Sequence, residues 1–121
     1  MLLINCTPLP DENCYILNTS VIIDGVHIPK GFKWNGASIP FFLWPILGGP
    51  FSPKFMAPSL LHDYLYSLGE SSGFSRRAAD KLFRKHLLVN GVSKEDADTL
   101  YFGVRMAGKP FWGSWAGRDN I

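Results

Sequence analysis

Cysteine is scarce in this chain: two residues in 121, Cys6 and Cys14, are too few for a disulfide-framed secreted scaffold or a four-cysteine metal site. Stability has to come from packing. Long apolar runs are lacking as well. The richest stretch, Ile39-Pro-Phe-Phe-Leu-Trp-Pro-Ile-Leu47, is cut by prolines and falls well short of the ~18 residues of a membrane span. An excess of either charge is also missing, since 12 basic residues stand against 10 acidic ones. That balance argues against a dedicated nucleic-acid binder, which carries clustered Lys and Arg. The opening Met1-Leu-Leu-Ile-Asn has no basic n-region, so no export signal is read and the protein is expected to be soluble or to reach its place by assembly or lysis.

What the chain does hold is apolar and aromatic. Apolar residues make up 46% and charged residues 18%, which excludes disorder for the whole. A chain of this length is expected to form one domain over residues 1–121 and to bury roughly two-thirds of its unfolded surface. Aromatic residues reach 14%, with four tryptophans, and that load asks for a structural or binding role.

The pattern along the chain predicts an α+β fold: an N-terminal β-hairpin, a long ordered loop rich in Gly, Pro and aromatics, and three helices in the C-terminal half. Residues 13–18 and Val21 to Ile23 read as strands. Asp24-Gly25 is a two-residue hairpin signal, after which Val26 and Ile28 share a face and His27 turns to solvent. Residues 30–58 read as a connection pinned by Phe32, Trp34, Phe41, Phe42, Trp44, Phe51 and Phe55. Pro58 suits a first helical turn, with Leu61, Leu65 and Leu68 on one face until Gly69. Ser75 is placed to cap a second helix striped by Ala79, Leu82, Phe83, His86 and Val89. Ser93 with Asp96 resembles a capping box for a third helix carrying Ala97, Leu100, Tyr101 and Val104.

The densest polar cluster inside apolar sequence is Leu60-Leu61-His62-Asp63-Tyr64-Leu65-Tyr66. On a helix His62 and Tyr66 share a face, and Asp63 lies about 100° round from His62. The short connection from Glu70 to Phe74 favours antiparallel packing of the next helix, which would let Asp80 reach the His62 ring. A carboxylate on one ring nitrogen would leave the other free as a general base. Ser38 reads as a turn or cap hydroxyl, with no nucleophile elbow around it. Arg76, Arg77, Lys81, Arg84 and Lys85 read as a solvated helix face. Tyr101 and Arg105 share a helix face, and Arg105 is a candidate partner for Asp63 or Asp80.

The HD-x-x-Y helix followed by an antiparallel helix with a second Asp resembles the active-site pair of phospholipase A2-type hydrolases. That resemblance implies His62 as base, Asp80 as its orienter and Tyr66 as a supporting hydrogen bond. It implies Asp63 as a calcium ligand, with loop carbonyls at Gly48 and Gly49, and a lipid or ester as substrate.

A second resemblance covers residues 14–112. Ile28-Pro-Lys-Gly-Phe, Asn35-Gly-Ala-Ser-Ile-Pro40, His62-Asp-Tyr-Leu-Tyr66, Arg77-Ala-Ala-Asp80-Lys-Leu-Phe83, Tyr101-Phe-Gly-Val-Arg105, Gly108 and Trp112 recur in that order in a family of small phage and prophage proteins known as a domain of unknown function. Many members carry Asp where this chain has Asn35. Membership implies a virion or host-cytoplasm location and subunits of a phage assembly as partners. Two functions are therefore expected. One is a metal-assisted hydrolase whose aromatic loop forms an apolar mouth, with Asn35, Ser38, Trp44 and Arg105 as binding residues. The other is a non-catalytic virion or tail component whose His-Asp cluster is a structural polar lock.

Overall fold

The computed structural model describes residues 1–48 and 52–113, and it is α+β. Five short strands come first: β1 (Cys6–Leu9), β2 (Cys14–Leu17), β3 (Val21–Ile23), β4 (Val26–Ile28) and β5 (Lys33–Trp34). They form two antiparallel sheets, one ordered β1-β2-β5 and the other the β3-β4 hairpin. The hairpin turn is the expected one, with Asp24 at φ 51° and Gly25 at φ 77°, the positive values that a type I′ turn requires. Ile28 is buried and His27 is exposed, as the alternation predicts.

Three helices follow: α1 (Pro53–Leu68), α2 (Arg76–Val89) and α3 (Lys94–Ala107). Both expected caps form. Ser75 Oγ accepts from the Ala78 N–H at 3.0 Å and Ser93 Oγ from the Asp96 N–H at 3.2 Å. On α2 the buried stripe ends at Leu87, while Val89 is 60% exposed.

Three expectations need correction. Helix α1 starts at Pro53, so Pro58 lies inside it rather than in its first turn. Proline has no N–H for the carbonyl four residues back, which frees the Lys54 oxygen. Asn90 Nδ2 fills that gap by donating to Lys54 O at 3.1 Å. The stretch read as a long loop is also more regular than expected, because it contains β5, a 3-10 segment over Phe41–Leu47 and the start of α1. Finally, β1 adds a strand where the sequence shows Cys-Thr-Pro-Leu, a run with little β signature.

Two apolar clusters make up the core. One joins the sheets to α1 through Leu17, Ile28, Trp34, Leu60, Leu61 and Tyr66. The other joins α2, α3 and the 3-10 segment to α1 through Ile39, Phe55, Phe83, Leu87, Leu100 and Val104. Helix α1 belongs to both, and eleven of its residues are buried, including Ser59, His62, Asp63 and Ser67. A helix enclosed on all sides puts its polar side chains inside the protein, where each needs a partner. Trp34 supplies one, donating through Nε1 to Ser59 Oγ at 3.1 Å.

Candidate functional site

His62 lies at the seam of the two clusters, its ring 4.2 Å from that of Tyr66 and 4.7 Å from that of Phe83, measured between centroids. It is fully buried, so both ring nitrogens must be satisfied by protein groups. They are: Nε2 is 2.7 Å from Asp80 Oδ1 and Nδ1 is 2.7 Å from Ser38 Oγ. The antiparallel packing expected of α1 and α2 does bring Asp80 to the ring. The base that this packing was expected to leave free is not free, because Ser38 occupies the second nitrogen.

Asp63 faces the other way, into the loop before the 3-10 segment. Its Oδ2 accepts from the Gly36 N–H at 2.7 Å and the Asn35 N–H at 3.3 Å, and its Oδ1 from the Ser38 N–H at 3.4 Å. Ser38 Oγ also bonds to Asp63 Oδ1. The Asn35 side chain supports this turn by accepting from the Ala37 N–H at 2.9 Å. The loop thus wraps its donors around a carboxylate of α1, as an N–H nest wraps an anion.

Asp80 gathers the rest. Tyr66 donates its hydroxyl to Oδ1 at 2.7 Å, and Arg105 Nη1 donates to Oδ2 at 2.8 Å. Arg76 lies 3.5 Å from the same oxygen and donates to the Tyr66 hydroxyl at 3.1 Å. It also donates to the carbonyls of Val104 and Arg105, both at 3.0 Å, at the C-terminal end of α3. The reading of Arg76 as a solvated side chain is therefore corrected. Its signal was present as an i, i+4 pairing with Asp80. Arg105 pairs with Asp80, as the sequence allowed.

The two carboxylates are pushed in opposite directions. Burial raises the Asp63 carboxyl above the ordinary range, and the bonds from Ser38 and the loop N–H groups, together with the charge interaction with His62, offset this only in part. Burial acts the same way on Asp80, but His62, Tyr66 and Arg105 outweigh it and hold that carboxyl below the ordinary range. Asp80 is accordingly ionised, so His62 Nε2 carries a proton and donates to it. Burial, with the Asp80 charge behind it, pushes the Tyr66 hydroxyl up.

The donor set does not fit calcium. That ion takes six to eight oxygen ligands, whereas the Asp63 oxygens already face N–H and O–H donors. Gly48 serves as the left-handed residue that ends the 3-10 segment, at φ 79°. Gly49, the other expected carbonyl ligand, lies outside the described residues, as do Phe51 and the tail from Ser114 onward. Trp44 ties its own segment together, donating through Nε1 to Ile39 O at 3.1 Å. Ser38, Asp63, Tyr66, Ser67 and Phe111 line a narrow crevice beside the row that has no room for a water molecule. Ser38 is only 3% exposed, and Asp63, His62 and Asp80 are at most 1% exposed.

Most of this α+β fold, with Ser38, His62, Asp63 and Asp80 of the polar row, lies within the stretch that identifies the chain. A family described as "Protein of unknown function (DUF1353)" matches residues 10–104, and the chain belongs to that family. It is 33% identical over 85 residues to the uncharacterized protein y4jT of Sinorhizobium fredii (strain NBRC 101917 / NGR234), covering 70% of this chain and 24% of that protein. It is 29% identical over 84 residues to the uncharacterized protein y4iH of the same strain, covering 69% of this chain and 34% of that protein. The chain thus spans about a quarter of the length of the first relative and about a third of the second. No solved structure matches it.

Proposed function

We propose that this chain is a non-catalytic structural and interaction module, and that the Ser38–His62–Asp80 row with Asp63 is a polar lock holding residues 35–38 to the three helices. One observation carries the reading: His62 is fully buried with both ring nitrogens engaged. A general base has to reach a proton on substrate, and this ring has no open side. The order serine, histidine, aspartate is that of a hydrolase relay. An acyl-transfer site also needs N–H donors aimed at a developing oxyanion, and here the N–H groups of Gly36 and Ser38 are taken by Asp63.

The outward faces then do the module's work. Phe41 and Phe42 on the 3-10 segment are 76% and 65% exposed, and Phe102 and Met106 on α3 are 61% and 87% exposed. Aromatic residues and methionine are the types enriched at protein interfaces. The two longer relatives, in which the matched stretch is a minor part, support a role as one unit within a larger protein or assembly. In that reading the partners are protein chains, with subunits of a phage assembly as the proposed setting.

The test pairs a fluorophosphonate serine probe with a calcium titration followed by tryptophan fluorescence. The lock predicts no adduct at Ser38 and no calcium response. A Ser38 adduct that disappears in His62→Ala while the fold persists would overturn it in favour of a hydrolase.

A further inference from the structure

The row linking the loop to α1 and α2 has one more property, in its count of protons. Asp80 accepts from His62, Tyr66 and Arg105, so it stays a carboxylate and His62 Nε2 stays protonated. Between Asp63 and His62 Nδ1 stands a single hydroxyl, Ser38 Oγ, bonded to both. Two proton arrangements complete these bonds. In one, Asp63 is ionised, Ser38 donates to it, and an imidazolium donates from Nδ1 to Ser38. In the other, Asp63 is protonated and donates to Ser38, which donates to Nδ1 of a neutral ring. Both hold the same number of protons. Removing one leaves either Asp63 facing the serine lone pairs or Nδ1 facing them, with no hydrogen between. A buried polar contact without its hydrogen is costly, so that deprotonated row is the least stable closed form.

We infer that Asp63, Ser38 and His62 share one proton and form a proton-gated latch, which holds residues 35–38 on α1 while the proton is present and releases them when it is lost. The inference rests on the reading of the row as a structural lock. The charged and titratable groups facing it are His62, Asp63 and Tyr66 on α1, Asp80 and Arg76 on α2, and Arg105 on α3. Arg76 and Arg105 are turned to Asp80 and the ends of α3, and neither bonds Asp63 among the described residues. Ser38 is therefore the side-chain link between the Asp63 carboxylate and the rest of the network. The sign follows from burial, which raises the Asp63 carboxyl. A raised group supports the closed state fully below the ordinary carboxylate value, about 3.9, and that support is lost as pH rises through the raised value. What opens is the attachment at Asn35, Gly36 and Ser38, whose N–H groups end on Asp63.

The test is amide hydrogen exchange at Gly36 and Ser38 from pH 4 to 9, corrected for intrinsic rates, with the Asp63 Cγ and His62 ring-nitrogen resonances followed in the same samples. The latch predicts that the opening constant at these two amides rises roughly tenfold per pH unit over the range where the proton leaves, the slope of one proton. The Asp63 and His62 signals then share one midpoint. In Asp63→Asn, whose amide donates to Ser38 permanently, the rise is abolished. Flat exchange in the wild-type protein, or separate midpoints for Asp63 and His62, would overturn the latch even if Asp63→Asn fails to fold. If the latch fails while Ser38 stays inert to the serine probe, the lock stands; if Ser38 is labelled, the lock fails as well.

Discussion

Two histidine–carboxylate contacts of nearly equal length lie in opposite surroundings: His62 to Asp80 at 2.7 Å, and His86 to Asp24 at 2.6 Å. The first pair is fully buried, while the side chains of the second are 15% and 28% exposed. The second also recruits Lys85, 3.0 Å from Asp24, and so fastens the β3-β4 turn to the end of α2. This corrects the reading of His86 as an apolar-stripe residue. At the surface, water replaces a lost partner and the net worth of an ion pair is small. Inside, a removed partner leaves the other group stranded in a medium that cannot solvate it. Similar geometry therefore has different consequences, and burial decides which.

The sharpest break in that contrast is Asp80→Ala. It strands His62, Tyr66 and Arg105 together and is expected to cost about 3–5 kcal/mol in urea unfolding. A loss below about 1 kcal/mol would place the pair in the same class as the surface one. Ser38→Ala comes next, at about 1–3 kcal/mol, because it leaves Nδ1 and Asp63 Oδ1 without their shared hydroxyl. Acid titration sharpens the comparison further. The Asp80 carboxyl is held low when folded, so its contribution is present above about 3.9 and is lost as pH falls through the folded value. Asp80→Asn should flatten the acid limb of thermal stability. Asp24 is also held low, by hydrogen bonds from His86 and then Lys85. Asp24→Asn keeps a residue that tolerates the positive φ at that turn, and should cost under about 1 kcal/mol, less still in high salt.

Local chemistry in the sequence carried much of the fold. Ser75, Ser93 and Asp24-Gly25 act within a few residues of themselves, and each forms what its neighbours predict. The start of α1 was hidden because Pro53 and Pro58 both suit a helix beginning, and the freed Lys54 carbonyl is rescued by Asn90 from beyond α2. Strands β1 and β5 depend on pairing with β2, which short runs such as Lys33–Trp34 do not announce. At the site, His62, Asp63, Tyr66, Asp80 and Arg105 were all legible as a cluster. The part of Ser38 was not, since its partners are 24 and 25 residues away and its own neighbourhood reads only as a turn. That one contact converts an expected free base into a closed row.

The central claim is that His62 is sealed, and the chain carries its own controls in exposed His27 and partly exposed His86. Acylation of the folded protein with diethylpyrocarbonate, read by mass spectrometry, tests it most directly. A sealed ring predicts modification at His27, slower modification at His86 and, at a pH where the loop is closed on α1, none at His62 until denaturant unfolds the chain. Modification of His62 in the folded protein at a rate near that of His27 would contradict it.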